Sequence, residues 1–319
     1  MSSLRVAFSG TPEVAVPTLM ALAASTHTLV GVLTRPDAPT GRGRRIQPSA
    51  VAQAAEQLEL PIAKPASLTG PDAQVLLEAW NPDVVVVVAY GLLVPKSLLT
   101  LPRLGWINAH FSALPRWRGA APVQYAIAQG DRTISVTTFV IEEGLDTGPI
   151  LGQTPPVAIE DREDAGQLLA RLSLTAPQLV LDTVDALAAG TTKPVAQSTE
   201  HATYAPRITT ADARIDWSRP VETVDRWIRA CTPSPGAWTA VQGNRIGITT
   251  PRQVVIDSAA VPGGIIAEKN RVLVGAQGGY LELGSVQPMG KKHMSAADWA
   301  RGYRDAVPAT FDAAEESPA

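Results

Sequence analysis

The sequence predicts an α/β fold: a Rossmann-like, mostly parallel sheet in the N-terminal part, followed by a small C-terminal β-barrel of the OB-like kind. Three observations predict it. The chain opens on an apolar run, a helical stretch and a second apolar run, the β-α-β pattern that sets two parallel strands side by side through a crossover helix. Val84 to Val88 are five consecutive valines, the composition of a central strand buried on both faces. After Arg207 the long periodic stretches give way to short β-type runs separated by Gly-rich turns. A chain of 319 residues is long enough for two cores. The expected division is a first domain over 1–190, a linker over 191–206, a second domain over 207–310 and a disordered tail over 311–319.

The elements follow in order. Leu4 to Phe8 reads as a buried strand, Pro12 to Ala24 as a helix entered through Thr11-Pro12, and Thr28 to Leu33 as a second strand. The first turn, Ser9-Gly10-Thr11-Pro12, is not Gly-x-Gly-x-x-Gly, and Arg35 stands where an acidic residue would close the second strand. Both facts argue against a nicotinamide dinucleotide site. Thr34 to Pro48 carries Arg35, Arg42, Arg44 and Arg45 among glycines and prolines, and is expected to be irregular. Ser49 to Leu58 and Pro71 to Trp80 read as helices, and Asp83 to Val88 as the central strand. Pro122 to Gln129 is a short helix, Ile134 to Ile141 and Pro149 to Val157 are strands, and Ala165 to Ala189 is a long amphipathic helix. Thr191 to Pro206, with two prolines and many hydroxyls, has the composition of a linker. Val221 to Cys231 is a helix, broken by Thr232-Pro233-Ser234-Pro235-Gly236. Six short β runs lie between Ala237 and Leu283.

Composition sets broad limits. Hydrophobic residues make up 45% and charged residues 18%, as in an ordinary globular protein. Cys231 is the single cysteine and the four histidines are scattered, so neither a disulfide framework nor a metal site is expected. No leader-like segment precedes Leu4 and no apolar run reaches membrane-spanning length. A cytoplasmic monomer without a membrane partner is expected. Residues 1–206 carry 14 basic and 18 acidic side chains, whereas 207–305 carry 13 and 9. A modestly basic second domain is compatible with an RNA partner.

The chemistry concentrates between Gly105 and Pro122. If Trp106 to His110 is a strand, Asn108 and His110 point the same way, with Ala109 opposite. A carboxamide N–H beside an imidazole suits a carbonyl reaction: one donates to a developing oxyanion and the other moves a proton. Alone, Asn-x-His is a weak signal, because a histidine at a strand end is more often a hydrogen-bonded structural residue. Downstream, Gly144 and Gly148 bracket Leu145-Asp146-Thr147 and bend the backbone around Asp146. This is either a surface turn or a carboxylate held beside His110. Ligands of open α/β sheets sit beyond the carboxyl ends of strands, so the loop Val88-Ala89-Tyr90-Gly91-Leu92 and the loop after His110 should face one cleft.

These stretches resemble the folate-dependent formyltransferases. The similarity covers nearly the whole chain: Phe8 to Pro12, Thr34 to Asp37 and Gly41 to Arg45, Val88 to Gly91, Ile107 to Pro122, Gly144 to Gly148, Ala213 to Trp217 and Gln287 to Lys292. It looks most like the members that act on methionyl-tRNA. The resemblance implies formyl transfer from 10-formyltetrahydrofolate to initiator methionyl-tRNA, without a metal. It puts the catalytic triad on Asn108, His110 and Asp146. It puts the pterin pocket on Val88, Ala89, Tyr90, Gly91 and Leu92 with Gly144, Leu145 and Asp146, and a folate-contacting segment on Ser112, Ala113, Leu114 and Pro115. The tRNA contacts would be Arg42, Arg44 and Arg45, with Lys291 and Lys292 the next candidates. Two positions depart from the pattern: Phe111 stands where glycine is usual, which would reshape the folate entrance, and Ala113 where leucine is usual. Formyltransferases for other amines are disfavoured by the basic insertion and the second domain. A serine hydrolase on Ser112, His110 and Asp146 lacks Gly-x-Ser-x-Gly. A non-catalytic RNA-binding protein would have no need of an intact triad.

Overall fold

A computed structural model describes residues 3–40, 45–303 and 308–313. In chain order, β1 (Arg5–Gly10) leads through a 3₁₀ turn at Glu13–Ala15 into α1 (Val16–Ala23), and β2 (Thr28–Leu33) follows. β3 (Ala38–Thr40) and β4 (Arg45–Gln47) pair antiparallel. The stretch expected to be irregular therefore contains a short ribbon. Its proline is tolerated because the ribbon has only two strands, and Pro39 pairs with Ile46. Arg42 and Arg44 lie outside the described residues. α2 (Ala50–Gln57) starts at Ser49, whose hydroxyl accepts the Ala52 N–H at 3.0 Å. β5 (Ile62–Ala63), α3 (Pro71–Trp80), β6 (Val84–Val88), α4 (Lys96–Leu99) and β7 (Trp106–His110) come next. α5 (Pro122–Gln129) has Pro122 in its first turn and ends on left-handed Gly130.

Each of the next two expected strands is split. β8 (Thr133–Ile134) and β9 (Thr137–Val140) replace the first, and β10 (Ile150–Gln153) and β11 (Val157–Ala158) the second. The cause of the first break is local. The Val136 N–H goes to the Thr154 hydroxyl at 3.0 Å, and the Val136 carbonyl takes the Thr154 N–H at 2.9 Å, in place of ladder bonds. α6 (Ala165–Ala189) buries Leu168, Leu172, Ala176, Val180 and Val184 at a spacing of four, one helical stripe. α7 (Val221–Ala230), β12 (Trp238–Val241), β13 (Asn244–Ile256), β14 (Ile265–Ala267), β15 (Val272–Ala276), β16 (Gly279–Pro288), β17 (Met294–Ser295) and α8 (Ala296–Arg301) complete the chain.

Two compact units result. The first comprises Met1–Gly119, Ile134–Val157 and Leu169–Tyr204. Among the described residues its sheet has seven strands in the order β10-β9-β7-β6-β1-β2-β5. The ladder is parallel from β7 to β5 and antiparallel at β9 and β10. All five valines of β6 are buried between β1 and β7, as a two-faced central strand requires. Val87 stands opposite Asn108, so the carboxyl ends of β6 and β7 open at one place. Residues 191–204 are bonded into this unit. Val195 exchanges two 2.8 Å bonds with Ile150, and the Arg118 N–H donates to the Thr203 carbonyl at 2.8 Å.

The second unit comprises Ala120–Thr133, Ala158–Leu168 and Ala205–Ala319. It draws in α5, which composition assigns to the first domain, because α5 packs on α7. Its antiparallel sheet runs β12-β13-β16-β15-β14, with β17 added on β16. The expected barrel is an open, curled half-barrel. Its two edges are bridged by the C-terminal segment: the Ile265 N–H meets the Ala309 carbonyl, the Phe311 N–H meets Gly263, and the Asp312 N–H meets Ala240, each at 2.8 Å. Phe311 is 4% exposed and stacks on Trp217 and Trp299 with centroids 5.6 and 5.9 Å away. The expectation of a disordered tail from residue 311 is therefore corrected at Phe311 to Ala313. An aromatic ring flanked by small and acidic residues looked like tail composition, but it fills the core. Residues 314–319 lie outside the described residues.

Replacing Phe311 by alanine removes this ring and unpins both sheet edges. A loss of about 3–5 kcal/mol is expected, read as a lower urea midpoint followed through tryptophan fluorescence, since Trp217 and Trp299 report on the site directly.

Candidate functional site

The site is built on the end of β7. Trp106, Ile107 and Ala109 are buried, Asn108 is half-buried and His110 is 6% exposed. Alternation puts Asn108 and His110 on one face. The Asn108 carboxamide makes no hydrogen bond to another described residue, so its N–H groups remain available. His110 Nε2 lies 2.8 Å from the Trp117 carbonyl oxygen. Only an N–H can meet a carbonyl, so the neutral ring carries its proton on Nε2 and presents a lone pair at Nδ1. That lone pair faces Asp146, whose Oδ2 is 3.8 Å away.

Asp146 sits on a tightly shaped loop. Its φ is +52°, a left-handed conformation uncommon outside glycine, though aspartate tolerates it better than most. The Gly119 N–H donates to Oδ2 at 2.6 Å. The flanking glycines serve close approach. A Cβ on Gly148 would lie 1.8 Å from the Val140 carbonyl oxygen, and one on Gly144 would lie 2.2 Å from the Thr147 hydroxyl. Gln197 Nε2 donates to the Asp146 carbonyl at 2.9 Å and to the Gly148 carbonyl at 2.7 Å. Its Oε1 accepts from Arg118 Nε at 3.1 Å and Nη2 at 2.7 Å. Gln197 and Arg118 escaped the sequence reading. The one signal was an amide among the hydroxyls of a presumed linker.

Burial pushes the His110 imidazole below its ordinary range, outweighing the Asp146 charge and the Trp117 carbonyl, which favour the protonated ring. The ring is therefore neutral near pH 7. Burial also pushes the Tyr90 hydroxyl up to about 12, with the charge of Arg35 opposing it. The Tyr90 hydroxyl is buried without a partner. The Tyr90 carbonyl accepts from the Thr11 hydroxyl at 2.9 Å, and the Gly91 carbonyl from Arg35 at 3.2 Å. Ala89 and Gly91 have φ of +48° and +83°, so the loop turns sharply at both sides of Tyr90. Val88 is buried, Leu92 half-buried and Ala89 exposed.

The remaining predicted residues divide. Ser112 is buried and donates to the Arg116 carbonyl at 2.6 Å, while its own carbonyl takes the Thr137 hydroxyl at 2.6 Å. It is bonded away from His110 and has the geometry of a structural residue, not a nucleophile. Leu114 is buried, Pro115 half-buried behind a cis peptide bond, and Ala113 exposed. Phe111 is buried, at 6% exposure. Leu145 is exposed. Arg45 is exposed on β4, and Lys291 and Lys292 are exposed in the second unit. Among the described residues, no group of three His, Cys, Asp or Glu side chains could hold a metal ion, and no helix is long and apolar enough to cross a membrane.

The family model described as formyl transferase matches residues 4–184, and that described as formyl transferase, C-terminal domain, matches residues 207–304. The chain belongs to the formyl transferase family. Among relatives within this formyl transferase family, the methionyl-tRNA formyltransferase of Acidothermus cellulolyticus is 50% identical over 326 residues, covering 97% of this chain and 100% of that protein. Those of Nocardioides sp. and Thermobifida fusca are 49% and 48% identical, each over 94% of this chain and 96% and 97% of their own lengths. Among solved structures, HypX from Aquifex aeolicus in complex with tetrahydrofolic acid aligns with a TM-score of 0.61 at 16% identity, over 93% of this chain and 47% of that one, so this chain spans about half of HypX. WlaRD, a sugar 3N-formyl transferase, aligns with a TM-score of 0.61 at 14% identity, over 92% of this chain and 100% of its own. These two likenesses establish the formyl transferase fold.

The buried imidazole also links stability to pH. In the unfolded chain His110 titrates near 6.5, and in the native protein it titrates lower. Below 6.5 the unfolded state takes up a proton that the native state does not, so stability falls as pH drops through that window. It levels off once the native ring also protonates. Urea midpoints measured from neutral pH downward should show this slope, and His110→Gln should flatten it.

Proposed function

We propose that this chain transfers the formyl group of 10-formyltetrahydrofolate to the α-amino group of methionyl-tRNA, yielding the N-formylmethionyl initiator tRNA used in the cytoplasm to start translation. The observation that carries the reading is 50% identity over 97% of the chain to a methionyl-tRNA formyltransferase. Asn108, His110 and Asp146 suit the chemistry. The free carboxamide of Asn108 donates to the oxygen of the formyl carbon as it becomes anionic. Nδ1 of His110, whose lone pair is not taken by a hydrogen bond, accepts the proton that the amine loses after attack and returns it to the departing folate nitrogen. Asp146, 3.8 Å from Nδ1, stabilises the transient imidazolium. Positioning and oxyanion stabilisation supply most of the acceleration, since the amine needs little activation.

The pterin end of the co-substrate is assigned to Val88, Ala89, Tyr90, Gly91 and Leu92 with Gly144, Leu145 and Asp146. The fit rests on two observations: the left-handed residues Ala89 and Gly91, which turn the backbone sharply on both sides of Tyr90, and the Tyr90 hydroxyl, buried without a partner. Of the 112–115 segment, exposed Ala113 and half-buried Pro115 are the members able to touch a ligand directly. Ser112 and Leu114 support them from below.

The direct test is formation of N-formylmethionyl-tRNA from purified protein, methionyl-tRNA and 10-formyltetrahydrofolate; absence of product overturns the proposal. Asn108→Ala removes one oxyanion donor and should slow single-turnover formylation by about 10²–10³-fold, with folate binding preserved. Near-normal turnover would remove Asn108 from the mechanism. For the tRNA, replacing Arg42, Arg44 and Arg45 with alanine should weaken binding and make its salt dependence shallower. Folate affinity should not change. If tRNA kinetics are also unchanged at every salt concentration, the contact lies elsewhere, with Lys291 and Lys292 the next pair to replace.

A further inference from the structure

We propose that Gln197, locked by the buried guanidinium of Arg118, is a positioning residue for Asp146. The proposal rests on the reading of Asp146 as a catalytic carboxylate and adds what holds that carboxylate in place.

Asp146 is in a backbone conformation that a non-glycine residue leaves unless it is restrained. Its side chain is held at one point, the Gly119 N–H. The backbone is held by one nitrogen of Gln197, which donates to the carbonyls of Asp146 and Gly148, at 2.9 and 2.7 Å. Fixing two carbonyls two residues apart fixes the curvature of the loop between them. The amide cannot turn over. Its Oε1 accepts two N–H groups from Arg118, and a flipped amide would set its NH₂ against the guanidinium and its oxygen against two carbonyl oxygens. Arg118 itself is 4% exposed, so this contact is not competed away by water. Arg118 also precedes Gly119. The same short backbone segment thus grips the carboxylate directly and the loop behind it through Gln197.

The discriminating variant is Gln197→Glu. A carboxylate keeps both bonds from Arg118, and the buried guanidinium stays paired, but it cannot donate to either carbonyl. With Asp146 free to shift by about 1 Å, kcat should fall by up to about 10²-fold. KM for 10-formyltetrahydrofolate should change little, while the melting temperature falls, because a carboxylate oxygen now faces two carbonyl oxygens. The decisive readout is a double-mutant cycle with Asp146→Asn. If Gln197 acts through Asp146, its loss has little further effect once the Asp146 charge is gone, so the two losses do not add. Full additivity, or a wild-type rate for Gln197→Glu, overturns the positioning role while leaving the triad intact. A wild-type rate for Asp146→Asn alone overturns the reading of Asp146 instead. Should Gln197→Glu fail to fold, Gln197→Ala, where water can occupy the vacated space, enters the same cycle.

Discussion

Three consecutive residues, Trp117, Arg118 and Gly119, hold the candidate site of the first unit together. The Trp117 carbonyl accepts from His110 Nε2. The Arg118 guanidinium binds Gln197. The Gly119 N–H binds the Asp146 carboxylate. Trp117 and Gly119 both have positive φ, +61° and +115°, and two such residues flanking Arg118 let neighbouring peptide groups point in different directions. The segment is in turn tied to residues 203 and 204, with the Trp117 N–H on the Thr203 hydroxyl at 2.9 Å. Imidazole and carboxylate are therefore referenced to one frame. In a buried setting these bonds are stronger than in water, and leaving any of them unmade is correspondingly costly.

The sheet supplies what that frame is mounted on. β6 and β7 are adjacent, parallel and in register at Val87 and Asn108, so the turn at Ala89 and the end of β7 emerge on the same edge. The valine run buries β6 on both faces, between β1 and β7. Phe139 of β9 stands opposite Asn108 in the ladder and meets the His110 ring edge-on at 6.2 Å. Polar groups at the strand ends thus rest on a core that cannot shift without breaking several buried contacts together.

Much of this was legible in local sequence, and the parts that were not share a cause. Alternation along Trp106 to His110 put Asn108 and His110 on one face, and the glycines around Asp146 marked a tight loop. Both are short-range patterns. The roles of Gln197 and Arg118 come from pairing across 79 residues. No local composition reveals that, and hydroxyl- and proline-rich flanks make residues 191–206 look like a spacer. Phe311 is a similar case, its burial decided by Trp299 and by Trp217, which is far away in sequence. Ser112, two residues after His110, was rejected as a nucleophile because it lacks the Gly-x-Ser-x-Gly setting, and its hydroxyl goes to a carbonyl four residues on. The ribbon at Ala38–Thr40 and Arg45–Gln47 was hidden by prolines and glycines that usually punctuate structure.

The balance of forces on His110 also bears on why the proposed reaction needs no stronger base. An α-amino group titrates near about 8 in simple compounds, and once it has attacked a carbonyl its remaining protons become far more acidic. A base is then required only to be neutral, close and pointed correctly. Burial secures the first of these by holding the imidazole uncharged. The Trp117 carbonyl secures the third by fixing the tautomer. The Asp146 carboxylate, too far from Nδ1 for a hydrogen bond at 3.8 Å, leaves the lone pair unclaimed until a proton arrives, and then stabilises the charge that results. A carboxylate bonded directly to Nδ1 would instead require the proton to sit there already, and the ring would have no lone pair on that side to offer. In the proposed mechanism the gap between the two groups is therefore part of the chemistry, and the hydrogen bond from Gly119 to the Asp146 carboxylate helps keep it.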